Sequence, residues 1–438
     1  LTAELVGLNR FIPAPFRKLT TPQRHAFYAS FLGWTLDAFD FFLLVFCIPA
    51  MAAGFHTNAA GIAEALFLTL AFRPVGAFLF GALADKFGRR PALMLNIACY
   101  SIFELACAFA TSLHGLYVLR ALFGVAMGGT WGIGAALAFE TLPSENRGFF
   151  SGLLQEGYAV GYLAAAAVYG LLFSHFAHMH WHGHTVGWRG LFVIGAMPAL
   201  LVFYIQGKVE ESPTWSAART ERADKKARAA HGPRSQTGGA DVVGQIRQYA
   251  PTFLFLVVLM TGFTALSHGT QDLYPTFLQR QHHLSAALTG GIAVVYNIGA
   301  LLGGLCFGVL SERIGRKRAI IAAALLTLPI IPLYALSGSL YGLAGGAFLM
   351  QFMVQGAWGV VPAYLTELSP GPVRATFPGF AYQLGNLLTS RNAVLQARAA
   401  ERYGGYGKVL AFTVLIVASF LVVVTAFGRE SKGAKLET

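Results

Sequence analysis

The stretch Ser267-His268-Gly269-Thr270-Gln271-Asp272-Leu273-Tyr274-Pro275-Thr276 sets an imidazole and a carboxylate inside an apolar run that opens at Pro251. On a helix His268 and Asp272 stand four apart, and Thr264, Ser267 and Gln271 fall on the same side, so one polar stripe results. Charged side chains near a bilayer centre cost about 2.5–3.5 kcal/mol each on insertion scales and are retained where they line a substrate or proton path. A blander reading has these groups satisfying one another between packed helices, or projecting past the hydrocarbon. Gly269 and Pro275 point to an interrupted helix, which is tolerated at membrane depth where the freed backbone lines a cavity.

A second charge that needs an explanation is Arg73, about two turns before Gly81 in another apolar run and followed by Pro74. A guanidinium is a permanently charged fork matched to a carboxylate. Two readings stand for Arg73: a clamp for an anionic substrate, or a structural partner of Asp37 or Asp40. Those two acids lie three apart in Gly33-Trp34-Thr35-Leu36-Asp37-Ala38-Phe39-Asp40. They share a helix face, and an acid that can be neutral or ionised is what proton coupling requires. Here too the alternative is a fixed charge partner for Arg73. Gln155, Glu156 and Tyr158 are within reach of the same cavity, whereas Glu104 is paired with Arg120 in the simpler reading.

These groups have to be held by membrane-spanning elements. The chain of 438 residues is 55% hydrophobic and 12% charged, too poor in charge for a large soluble domain. Between residues 27 and 428 it divides into twelve apolar stretches of spanning length. The formal charge of +12 is concentrated in the termini and alternate loops, the positive-inside bias rather than a nucleic-acid footprint. That bias places both termini in the cytoplasm of a multi-pass plasma (inner) membrane protein. No signal peptide is read before the first span. The four cysteines lie in apolar spans as packing groups, with no disulfide framework.

Gly81-Ala-Leu-Ala-Asp85-Lys-Phe-Gly88-Arg89-Arg90 reads like Gly308-Val-Leu-Ser-Glu312-Arg-Ile-Gly315-Arg316. The same offset relates Trp131 to Trp358, Glu140 to Glu367 and Arg147 to Arg374. The predicted fold class is therefore an all-α membrane protein with twelve transmembrane helices in two six-helix bundles, related by a parallel pseudo-twofold. The expected organisation is a cytoplasmic N-terminal segment (1–26), an N-terminal bundle (27–207), a cytoplasmic linker (208–249), a C-terminal bundle (250–428) and a cytoplasmic tail (429–438). The linker is expected to carry a short amphipathic helix around 215–230 and basic residues suited to lipid head groups.

Gly81 permits close helix approach and Gly88 a tight turn, while Asp85 is suited to an arginine or a helix N-terminus across the half interface. The repeat supplies Gly308, Glu312 and Arg316 in the corresponding places. Glu140, Arg147, Glu367 and Arg374 are read as braces for the same end. A static turn with solvated charge is the alternative to a latch. His175, His178, His180, His182 and His184 crowd one outer loop, but no Cys or acid accompanies them and no metal is expected.

The Gly81 segment resembles the loop joining helices 2 and 3 throughout the major facilitator superfamily, where it implies a latch that breaks as the halves rock. The Gly-Trp-x-x-Asp-x-Phe-Asp pattern at 33–40 resembles the first helix of sialate-type and aromatic-acid symporters. Residues 267–276 resemble the signature of the Jen-type lactate and pyruvate permeases, in the sialate:proton symporter branch of that superfamily. The Jen-type signature opens with Asn where this chain has Thr264. The resemblance implies a monomeric proton-coupled importer of a small monocarboxylate such as lactate or pyruvate, with no cofactor beyond the co-transported proton. Its implied site comprises Arg73, Ser267, His268, Gln271, Thr264 and Tyr158 for the acid, with Asp37, Asp40, His268 and Asp272 for the proton. Rival expectations are a larger organic acid, such as sialic acid or an aromatic acid, and a non-transporting carboxylate receptor. Proton-driven efflux is disfavoured because helix 5 lacks the Gly-Pro pair of the drug:proton antiporters. No enzyme constellation of nucleophile and base is present.

Overall fold

The computed structural model describes residues 14–57, 59–181, 184–230, 247–284, 286–434 and 436. Eleven helices among the described residues are long and apolar enough to cross a membrane. They are α1 (Thr21–Gly54), α2 (Ala59–Phe87), α3 (Arg89–Ala108), α4 (Leu113–Thr141), α5 (Ser144–His178), α6 (Gly187–Lys208), α7 (Ala250–Arg280), α8 (Ala286–Ile314), α9 (Arg316–Ala335), α10 (Leu340–Leu368) and α12 (Tyr406–Phe427). The span expected between α10 and α12 is α11, divided into Thr376–Thr389 and Asn392–Tyr403. Its second part carries Arg398, Glu401 and Arg402. The break itself falls earlier, at Ser390 and Arg391.

Helix α1 begins at Thr21, ahead of the apolar run, because Gln23 accepts the Thr20 backbone N–H at 3.0 Å and Pro22 occupies the first turn. Helix α7 is interrupted as expected: its first part ends at Gln271, and Tyr274–Arg280 resumes with Pro275 in the first turn. Two tyrosines fix the break. Tyr334 on α9 donates to the Thr270 carbonyl at 2.7 Å and stacks on Tyr274 at 4.5 Å, while Tyr274 donates to the Leu343 carbonyl at 2.9 Å. Pro74 sits within a continuous α2. The linker helix runs Pro213–Ala230, and 231–246 lie outside the described residues. Between α5 and α6, His180–Trp181 and His184–Thr185 pair as a small antiparallel hairpin; the side chains of 180–185 lie outside the described residues.

Each half has its own core, and the two meet at one end. Helix α2 packs on α11, and the first part of α5 packs on α8 and α10. Glycine makes this close approach possible. A Cβ at Gly132 would stand 2.9 Å from the Gly379 Cα, and one at Gly81 2.7 Å from the Thr376 Cα. Further along, Trp131 and Trp358 both pack on Tyr382, with ring centroids 5.1 and 5.4 Å apart, and Trp34 meets the same ring at 6.5 Å. Two residues related by the internal repeat thus form an aromatic floor that closes the molecule from the Asp85 end.

Candidate functional site

At the closed end, Asp85 accepts three hydrogen bonds at the start of α11: from the Ala375 N–H (3.0 Å), the Thr376 N–H (3.0 Å) and the Thr376 hydroxyl (2.6 Å). A carboxylate from one half therefore caps a helix of the other. The repeat does the same in reverse, since Glu312 on α8 accepts the Gly148 N–H at the start of α5. Arg89 binds Glu140 through both Nε (3.0 Å) and Nη2 (2.8 Å) and stands 3.2 Å from Asp85. Arg316 binds Glu367 at 3.2 Å and Glu312 at 3.3 Å, and Arg374 approaches Glu140 at 3.8 Å across the halves. Gly88 and Gly315 turn the chain with φ of 114° and 100°, values that side chains beyond glycine rarely adopt. Arg90 donates to the Gln206 carbonyl, and Arg147 donates to that of Ala434.

Two further Glu-Ser pairs complete this assembly. Glu211 accepts the Arg89 N–H at 2.9 Å, and Ser212 donates to Glu140. In the second half Glu430 accepts the Arg316 N–H at 2.8 Å, and Ser431 donates to Glu367 at 2.7 Å. The start of the 429–438 tail is thus docked on the latch. The Glu-Ser dipeptide after α6 and again after α12 was the signal for it.

Beyond the aromatic floor lies the central site. Arg73 Nη2 and Asp37 Oδ2 stand 2.6 Å apart, with side chains 7% and 1% exposed, so α2 and α1 are tied by a buried ion pair. Glycines set the depth of α2 against α4: a Cβ at Gly128 would strike the Arg73 carbonyl and one at Gly124 the Thr69 carbonyl. One turn from Asp37, Asp40 is wholly buried, and among the described residues neither of its carboxylate oxygens has a hydrogen-bond partner. Behind it, Glu104 and Arg120 pair at 2.9 Å, as expected from sequence.

On α7 of the other half, His268 Nδ1 and Asp272 Oδ1 stand 3.3 Å apart, with side chains 43% and 35% exposed. Gln271 donates to Gln351 of α10 at 2.9 Å. Thr264 is 1% exposed and directs its hydroxyl to the Met260 carbonyl, accepting in turn from Thr389, so it lies buried in the α7–α11 contact and offers no free hydroxyl to a substrate. Ser267 is half-buried on the same helix. Tyr158, 37% exposed, stacks on Trp34 at 5.8 Å and lies within electrostatic range of both Arg73 and Asp272. Asn386 on α11 neighbours both His268 and Tyr382, and Tyr382 lies within electrostatic range of Arg73 and Asp37. Through its ring contact with Trp34 of α1, Tyr382 links α11 to the half that carries the Arg73–Asp37 pair. Neither Asn386 nor Tyr382 had a charge or motif to single it out in the sequence.

A duplicated six-helix unit, mirrored carboxylate caps and buried charges within the bundle define a major facilitator transporter, not an enzyme. The profile of the sugar (and other) transporter family matches residues 60–254 and 249–433, and the chain belongs to that family. The chain is 30% identical over 442 residues to a carboxylic acid transporter protein homolog of Saccharomyces cerevisiae, covering 95% of this chain and 70% of that one. It is 27% identical over 429 residues to the sialic acid transporter NanX of Escherichia coli, covering 96% and 98%. Among solved structures, the major facilitator proton:xylose symporter XylE, bound to 6-bromo-6-deoxy-D-glucose, superposes with a TM-score of 0.74 at 17% identity, covering 95% of this chain and 98% of that one.

Proposed function

We propose that this protein takes up a small monocarboxylate, such as lactate or pyruvate, together with a proton by alternating access. Both termini and the latch then face the cytoplasm of the plasma (inner) membrane, the vestibule faces outward, and the monomer is the working unit. The observation that carries the reading is the buried Arg73–Asp37 pair, a carboxylate-binding fork already held by an acid. A proton on Asp37 releases the fork for the substrate carboxylate. A bound carboxylate, in turn, takes Arg73 away from Asp37 and favours its protonation. Each ligand thus raises the affinity for the other by the same factor, which is the thermodynamic requirement of symport. Asp40 holds the neighbouring position for the proton, and the His268–Asp272 pair with Ser267, Gln271 and Tyr158 contacts the body of the acid.

The ion-paired empty site and the doubly loaded site are both neutral, whereas a site holding only the carboxylate or only the proton is charged, so the halves rock most readily with both ligands bound or neither. The carboxylic acid transporter homolog and the full-length match to the sialic acid transporter support an organic acid as cargo. The match to NanX also favours a second reading, a larger sugar acid at the same fork. Uptake of labelled lactate into proteoliposomes with an alkaline interior, competed by pyruvate, sialic acid and benzoate, tests the proposal. Accumulation that collapses with the pH gradient supports it. Competition by sialic acid alone transfers the reading to the larger substrate, and uptake indifferent to the gradient removes the proton.

A further inference from the structure

One buried acid takes no part in the site just described. Glu156 lies at the kink of α5, is 6% exposed, and faces the opposite half. Its carboxylate rests against Gly304 of α8, where a Cβ would collide with it, and the Gln355 carbonyl of α10 borders the same spot. The surrounding packing is backbone to backbone: Cβ atoms at Gly152 or Gly359 would each meet the Gly304 carbonyl. From α1 the neighbours at this level are Trp34 and Thr35, which border Gly157, and from α4 Trp131, which donates to Gln155 at 3.4 Å. Among the described residues no charged side chain acts on Glu156. The nearest charges along this seam are Glu312, Arg316 and Arg147, two turns away at Gly148 and engaged with one another and with the chain ends.

An ionised carboxylate here would carry a desolvation penalty with nothing to offset it, so the neutral acid is the form that fits the closed seam. When α5 parts from α8, the same carboxyl meets water from the latch end, where the anion is stable. We propose that Glu156 is a proton-binding site in its own right: it holds a proton while the latch end is closed and gives it to latch-side water when the halves separate there. The bond broken is the carboxyl O–H, the proton passes to water or hydroxide on that side, and closing the seam requires that a proton be taken up again. Latch-side pH thereby sets how readily the transporter returns to the state with its latch end closed.

Spin labels on Lys86→Cys and Arg313→Cys, exposed on opposite halves at the latch end, report its opening without substrate or gradient. The outcome therefore stands apart from which acid is carried or whether a proton travels with it. Raising the pH from about 5 to about 9 should shift the distance distribution toward the open form, with the open-to-closed ratio rising up to about tenfold per pH unit where one proton is linked. Glu156→Gln should stay closed across that range, and Glu156→Asp, which keeps an acid at the site, should keep the pH response. A distribution in the unsubstituted protein that ignores pH overturns the proposal even if the Gln variant does not fold, as does a Gln variant that follows pH as the original does.

Discussion

Arg73 and Asp37 illustrate why single substitutions at this site must be read with care. Removing either partner leaves a buried uncompensated charge, at about 3–5 kcal/mol, so loss of transport in Arg73→Ala alone does not separate binding from folding. The double variant Asp37→Asn/Arg73→Gln removes both charges and is expected to recover most of the thermal stability lost by either single variant, measured by unfolding in detergent. It should still fail to bind or transport the acid. Asp37→Asn alone leaves the guanidinium unheld, and acid binding there should lose most of its dependence on pH, read by a binding titration at several pH values. At His268, replacement by Ala removes a half-exposed ring whose partner Asp272 is also solvated. Stability should change by no more than about 1 kcal/mol, while affinity for the acid falls.

At the scale of elements, glycine positions the charged residues. Helix α2 approaches α4 so closely that a side chain at Gly128 would meet the Arg73 carbonyl, and a backbone atom cannot rotate out of the way. Gly128→Ala should therefore push α2 outward at the depth of Arg73, at about 1–3 kcal/mol of overpacking. It should lower substrate affinity without touching substrate, as a binding measurement beside the thermal midpoint would reveal. The break in α7 depends on Tyr334 in a comparable way. Tyr334→Phe leaves the Thr270 carbonyl without its buried donor and should cost about 1–3 kcal/mol. The interruption of α7 was legible from Gly269 and Pro275, because proline has no backbone donor and marks a first turn wherever the pattern resumes. The division of α11 was less so: its first part is apolar and its second amphipathic, and a window spanning both reads as one segment.

On the scale of the whole molecule, two carboxylates hold the closed end. Hydrogen bonds to a charged acceptor contribute about 1.5–3 kcal/mol each, so Asp85→Asn should move the balance between closed and open latch by about tenfold or more. Glu312→Gln should shift it in the same direction through the mirrored cap on α5. The distance between spin labels on Lys86→Cys and Arg313→Cys, exposed on opposite halves, measures both. An unchanged distance distribution in each variant would reduce the assembly to a static turn.

Twelve segments, their grouping into two repeats and the identities of the cap carboxylates are all local or periodic properties. Hydrophobic length, the matched offsets from Gly81 to Arg374 and the glycines that need positive φ each declare themselves over a few neighbouring residues, so the amino-acid order alone determined them. Pairings between distant helices are of another kind. That Arg73 takes Asp37 and, among the described residues, leaves Asp40 without a hydrogen-bond partner, that Tyr382 joins the two halves, that Thr264 is folded into a helix contact, and that Glu430 and Ser431 return to the latch all depend on the rotation and depth of each helix against its neighbours. Those are set by glycine contacts and aromatic packing summed over the assembled bundle, and no stretch of chain carries them by itself.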